Sequence, residues 1–249
     1  MNIRWWAFPL VLLAAGAMGA ALLVAFAAAI VYPTLPPLGA LTDYQPKIPL
    51  RVYSADGQLI GEFGEERRAV VKMKEVPRPM IGAILAAEDE RFYQHGGVDY
   101  VGVARAALSN FVSGGVRQGA STITMQVARN FFLSKERTLT RKFNEMLLAF
   151  KIVANLSKDQ ILELYINQIY LGQRAHGFAA AAQIYFGKSL SELTLAESAM
   201  LAGLPKAPSR YNPIANPKRA KLRQQYVLRR MRELQLVSEE ELVAADRQP

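Results

Sequence analysis

"MIGAILAAEDERFYQHGGVD", residues 80–99, runs from an unbroken apolar stretch into three consecutive acids, Glu88, Asp89 and Glu90. An aromatic pair, a lone histidine and two glycines come next. The apolar stretch predicts a helix over 79–90. A carboxylate leaving that helix beside Phe92 and Tyr93 is desolvated, which raises its pKa toward the range useful for proton transfer. Taken alone, a charged helix end accounts for the pattern better than an active site does. The rest of the chain has to decide between them.

Helical periodicity dominates downstream, with helices expected at 99–113, 121–133, 138–156, 158–170, 176–186, 191–203 and 216–235. Ser157 with Gln160 makes a capping box, Ser191 with Thr194 and Glu197 offers a less clean one in a shifted frame, and Ser238 with Glu241 opens a last helix. Gly172, Gly177 and Gly187 mark helix ends. Upstream, "PLRVYSADGQLIGEFGEERRAVVKM" alternates apolar residues around Asp56-Gly57, the mark of a hairpin. We read 48–78 as a small, structural β element.

Three further stretches bear chemistry. In "GGVRQGASTITMQVARNFF" (114–132), small hydroxyl residues at a helix start leave backbone N–H groups for phosphate, with Arg117 and Arg129 as cationic neighbours. Gly114 and Gly115 give this loop freedom to move, and the bland reading is a simple N-cap. In "TRKFNEMLLAFKIV" (140–153), Arg141 and Lys142 share one helix face with Glu145. That pattern is either helix-stabilising ion pairing or a place to hold a diphosphate beside a carboxylate. In "KDQILELYINQIYLGQRAHGFAAAAQIYFGK" (158–188), Ala179 to Ala182 allow close helix packing, and His176 reads as a structural histidine.

Composition narrows the partners. The 249 residues contain no cysteine, excluding disulfides and thiol chemistry, and the two histidines, His95 and His176, are not spaced as ligands of a metal centre. The net charge of +9 calls for an anionic partner. From Trp5 to Tyr32 no residue is charged, a helix of about 42 Å against a hydrocarbon core of roughly 30 Å. Ala25-Phe26-Ala27 and Ala27-Ala28-Ala29 resemble signal-peptide cleavage sites, yet signal-peptide apolar regions run only about 7–15 residues. An uncleaved anchor is therefore expected, with Trp5, Trp6 and Tyr32 at its interfaces. Arg4 and the free amine place the N-terminus in the cytoplasm. The residues after Tyr32 then lie outside the cytoplasm, where nucleic acid is not the expected partner. Residues 33–47 hold four prolines and read as an extended spacer. Residues 218–232 carry seven Lys or Arg, read first as a solvated helix face and second as a contact with phospholipid headgroups.

In series, these segments resemble the peptidoglycan glycosyltransferase domain of class A penicillin-binding proteins, over roughly residues 50–235. "EDERFYQHGGVD" is similar to that family's E-D-x-x-F-x-x-H-x-G, "GASTITMQVARN" to G-x-S-T-I-T-Q-Q-x-x-K-N, and "RKFNE" to R-K-x-x-E. "KDQILELYINQIYLG" is similar to K-x-x-I-L-E-x-Y-L-N, and "AGLPKAPSRYNP" to the fifth motif. Met125 departs from the usual glutamine, and Arg129 from the usual lysine.

The resemblance implies a mainly α, lysozyme-like glycosyltransferase domain with a small β element and one N-terminal transmembrane helix, in the bacterial inner membrane with its catalytic domain in the periplasm. It divides the chain into a cytoplasmic tail (1–4), anchor (5–32), spacer (33–47), β element (48–78), glycosyltransferase domain (79–235) and the start of a linker or next domain (236–249). It implies lipid II and the growing glycan strand as substrates, with membrane lipids and other cell-wall synthesis proteins as partners. Glu88 and Glu145 become the catalytic residues. Asp89, Phe92, His95, Ser121, Thr122, Thr124, Gln126, Arg129, Asn130, Arg141, Lys142, Tyr165, Asn167 and Lys206 become substrate-binding. Glu145 either orients the cations or holds a divalent cation, Mg or Mn; no organic cofactor is implied. The S-x-x-K and K-T-G segments of a transpeptidase are absent from the sequence, so we read it as the front part of a bifunctional enzyme. The alternatives are a lytic transglycosylase or lysozyme-type enzyme, and a non-catalytic membrane scaffold.

Overall fold

The computed structural model describes residues 8–42, 50–64, 66–113, 121–134, 136 and 138–248. Arg4 of the expected tail, Trp5 and Trp6 of the anchor, residues 43–47 of the spacer, and Gly114, Gly115 and Arg117 of the hydroxyl loop lie outside the described residues.

Helix α1 (Phe8–Val31) is 24 residues long and buries none of its side chains. With the 3-10 turn Tyr32–Thr34 it forms one span long and apolar enough to cross a membrane. An apolar helix with so little packed against it has no place in water. Over residues 33–42 the expected extended spacer is not free. A short helix α2 (Gly39–Thr42) comes after the turn, and Leu35 and Leu41 are buried in the main core. Two leucines among the prolines gave the segment apolar area to bury, which outweighed its extended composition.

Strands β1 (Leu50–Tyr53) and β2 (Leu59–Phe63) form the hairpin that Asp56-Gly57 announced, with Gly57 at φ +84 in the turn. Strand β3 (Arg67–Arg68) pairs in parallel with β4 (Ala175–His176), a long-range pairing without a local signature. His176 thus belongs to a strand, and the helix expected from 176 begins at α8 (Phe178–Phe186). Gly177, at φ +88, makes the turn between them; a Cβ there would stand 2.8 Å from the Asn167 carbonyl oxygen.

The remaining helices are α3 (Arg78–Glu88), α4 (Tyr100–Ser113), α5 (Ile123–Phe132), α6 (Leu139–Asn155), α7 (Lys158–Gln168), α9 (Leu195–Ala202), α10 (Pro217–Glu233) and α11 (Glu239–Asp246). Thr122, Thr138, Ser157, Thr194 and Ser238 cap their helices by accepting the third N–H, each cap contributing about 1 kcal/mol. The ambiguous frame resolves at Thr194 with Glu197, while Ser191 falls within a 3-10 turn capped by Ser189. Helix α5 packs on α6 and α7, and α3 packs on α9 and α10. Met80, Ile84, Phe92, Ile123, Leu148, Ile161, Tyr165 and Phe178 are among the largest fully buried side chains, and Ala179 to Ala182 pack inside as expected. The end of α3 and the start of α5 meet where the acids emerge.

Candidate active site

Glu88 is the last residue of α3, and Gln126 on α5 donates from Nε2 to its Oε2 at 2.8 Å. Asp89 ends the helix in an extended conformation and turns its carboxylate inward. Its Oδ2 accepts the Ile123 backbone N–H at 3.0 Å, and both its oxygens lie 3.0 Å from His95 Nε2. Because Gly97 N–H donates to His95 Nδ1 at 3.2 Å, the ring proton faces Asp89. Thr122 closes the loop, its hydroxyl donating to the Gly97 carbonyl at 2.6 Å and accepting Met125 N–H. Asp89, His95 and Thr122 therefore build a brace that ties the end of α3 to the start of α5. The brace fixes Glu88 against Gln126.

Glu88 opens into a cavity of about 720 Å3, whose lining includes Asp89, Ser121, Gln126, Arg129, Lys206 and Arg223. Burial raises the Glu88 carboxyl above the usual range; the Gln126 hydrogen bond and the charges of Arg223, Lys206 and Arg129 only partly offset it.

On α6, both oxygens of Glu145 are taken. Arg141 Nη1 donates to Oε1, and Lys142 Nζ stands 2.8 Å from Oε2. Lys142 also donates to Ser121 Oγ at 2.7 Å, which joins this cluster to the cavity wall. Burial, then the neighbouring charges of Arg129 and Arg141, bring the Lys142 ammonium down to about 8; the contact with Glu145 works in the opposite direction. Glu145 is 1% exposed and does not line the cavity. Its surroundings suit holding two cations in place and do not fit a divalent metal ion. Both carboxylate oxygens already face positive groups, and among the described residues no three His, Cys, Asp or Glu side chains cluster as ligands.

Several residues expected to touch substrate are placed otherwise. Phe92 is fully buried, with the Lys158 ammonium 4.4 Å from its ring centre. Thr124 and Tyr165 are buried in the core, and no hydrogen-bond partner meets either hydroxyl among the described residues. Asn167 stitches the β3 segment to α7: its side chain accepts Val71 N–H and donates to the Val71 carbonyl. His95 sits behind Asp89, and Asn130 is exposed off the cavity. The helix start at 121–124 is not an open phosphate cradle, because Asp89 takes the Ile123 N–H and Thr122 takes that of Met125. The Met125 side chain packs with Val98 and Ala149, so the missing amide lies on the side of α5 turned away from Glu88.

The basic run of α10, which from sequence reads first as a solvated face, reaches the site. Arg223 and Arg230 line the cavity, and they sit on the helix face that buries Ala220, Val227, Leu228 and Met231. Arg223 lies 4.5 Å from the Tyr226 ring centre and reaches the Gly203 and Ala87 carbonyls. Arg230 and Arg105 both pair with Glu90. A cation at an apolar stripe position is the signal that marks them.

The transglycosylase family model matches residues 56–232. The chain is 64% identical over 216 residues to penicillin-binding protein 1A of Neisseria gonorrhoeae, covering 87% of this chain and 27% of that protein. It is 51% identical over 229 residues to penicillin-binding protein 1A of Pseudomonas aeruginosa, covering 91% and 28%. A crystal structure of penicillin-binding protein 1A from Haemophilus influenzae aligns with a TM-score of 0.48 at 36% identity, over 82% of this chain and 21% of that one. The chain spans a little over a quarter of the length of the curated relatives it matches. On the match over residues 56–232 and these identities, the chain belongs to the transglycosylase family.

Proposed function

We propose that this chain polymerises lipid II into glycan strands by inverting glycosyl transfer. The donor is the growing glycan on its undecaprenyl diphosphate; the acceptor is the sugar 4-hydroxyl of lipid II. Glu88 takes the hydroxyl proton as the acceptor oxygen bonds to the donor's anomeric carbon, and the bond from that carbon to the diphosphate breaks on the opposite face. The α-diphosphate thereby becomes a β-glycosidic link, and undecaprenyl diphosphate leaves with the bonding electrons. Arg129, Arg141 and Lys142 receive the charge that grows on the leaving group; Lys142 is held in advance by Ser121 and Glu145, and Arg141 by Glu145, so that little reorganisation is needed. Glu145 acts through Arg141 and Lys142, and no step passes through a metal ion.

One observation carries the reading: a carboxylate with a raised pKa opens into the same cavity as Arg129, Lys206 and Arg223. Hydrolysis of finished glycan has no diphosphate to neutralise, so the cations favour transfer over cleavage. Helix α1 would confine the enzyme to the bilayer that holds its C55 substrate, with the N-terminus in the cytoplasm and the catalytic domain in the periplasm. Phe111 and Leu139, 85% and 91% exposed, are suited to contact with membrane lipids. Incubation with purified lipid II and, separately, with finished peptidoglycan tests the reading. Glycan growth from the first and no cleavage of the second is expected; cleavage without growth would establish the hydrolytic alternative.

A further inference from the structure

The junction between membrane helix and catalytic domain is built around one side chain. Lys151 Nζ donates to the backbone carbonyls of Leu35 at 3.2 Å and Pro36 at 3.1 Å, and it lies 5.9 Å from the centre of the Tyr32 ring. Leu35 itself and Leu41 a few residues on are buried in the main core. An ammonium that satisfies two carbonyls and rests near an aromatic face holds the chain at a defined point where it leaves the membrane span.

Lys151 stands on α6, the helix that carries Arg141, Lys142 and Glu145. From Lys142 to Lys151 is nine residues, about 14 Å of axial rise and about two and a half turns. The two ammonium groups therefore leave opposite faces of one rigid rod. The segment leaving the membrane helix is gripped on the face of α6 opposite Lys142.

We propose that Lys151 is a positioning residue: it locks the exit of the membrane helix to the back of α6, and so fixes the height of Arg141 and Lys142 over the bilayer surface. A diphosphate joined directly to a polyprenyl chain stays in the headgroup layer, so the cations meet it only when held at that level. The inference rests on the glycosyl-transfer reading for its consequence, while the latch itself can be measured without any reaction.

The test reconstitutes the full chain in phospholipid vesicles. The sequence has no cysteine, so Leu22→Cys on α1 and Lys218→Cys on α10 supply two clean spin-label sites. A narrow distance distribution is expected in the parent and with Lys151→Arg, and a clearly broadened one with Lys151→Met. An unchanged width in Lys151→Met overturns the latch whether or not the chain makes glycan. For the consequence, Lys151→Met should slow polymerisation of vesicle-embedded lipid II roughly tenfold to a hundredfold, the scale of a small misplacement. Activity on a short-prenyl analogue in detergent should be kept, and Lys151→Arg should restore the vesicle rate. Equal loss on both substrates, or no loss on either, overturns the positioning role. A parent chain that extends neither substrate counts against the glycosyl-transfer reading and leaves the distance result standing.

Discussion

Gln126 and Glu88 lie 38 residues apart in sequence and 2.8 Å apart in space, the amide of one donating to the carboxylate of the other. That bond favours the ionised form, while burial opposes it and prevails. Glu88 has to be ionised to accept a proton, so activity should fall as pH drops through its raised pKa. The acidic limb of the pH–rate profile should therefore lie above the ordinary glutamate value of about 4.3. Gln126→Leu removes the donor and should move that limb to still higher pH. A limb that stays in place in this variant would separate Gln126 from the titration.

The same raised pKa makes Glu88 a cost to stability near neutrality. A carboxyl that ionises later in the folded than in the unfolded state contributes most below the unfolded pKa, and that contribution is lost as pH rises through the folded one. Glu88→Gln should therefore melt at a higher temperature than the parent at pH 7, with the difference shrinking toward pH 4. Calorimetry across that range checks the sign. Better stability paired with lost activity is expected where a site holds a charge against burial.

Lys142, brought down to about 8, sets the basic side. A bound diphosphate needs the ammonium, so substrate affinity should weaken as pH rises through about 8. Lys142→Arg keeps its charge throughout that range and should flatten the dependence, at some loss of fit to Ser121. Titration of lipid II binding at pH 7 and pH 9 for both proteins is the measurement.

Gly97 holds the brace by its lack of a side chain. Its φ is +102, and a Cβ would stand 2.8 Å from the Ala149 carbonyl oxygen on α6. Gly97→Ala should cost about 1–3 kcal/mol, from backbone strain and the displaced contact together. It should also loosen the Thr122 hydroxyl from the Gly97 carbonyl, so activity should fall further than the loss of folded protein explains. Thermal melts alongside rates per folded molecule separate the two effects.

The helices are legible in the sequence because their signals are local. Ser157 with Gln160 and Ser238 with Glu241 carry their own start marks, and Asp56-Gly57 its own turn. Glu88 and the Arg141-Lys142-Glu145 cluster can be found because each occupies one short stretch. The features that stay hidden depend on distant partners. The pairing of Arg67 with Ala175 has no local mark, and neither does the docking of Leu35 and Leu41. Motif position is also a poor guide to side-chain direction. Tyr165 and Asn167 fall in a motif the resemblance assigns to substrate, yet one is packed in the core and the other bonds backbone. Arg223 reads as part of a solvated face because charge runs usually are one, although its neighbours Ala220 and Val227 mark that face as buried.

The central claim is that Glu88 is the base of a glycosyl transfer, and Glu88→Gln tests it most directly. The measurement pairs lipid II binding with single-turnover glycan formation on the same reconstituted protein. Binding should stay close to that of the parent while the rate falls by about 10²–10⁴-fold, the usual effect of losing a general base. Glycan formation at close to the parental rate would contradict the assignment.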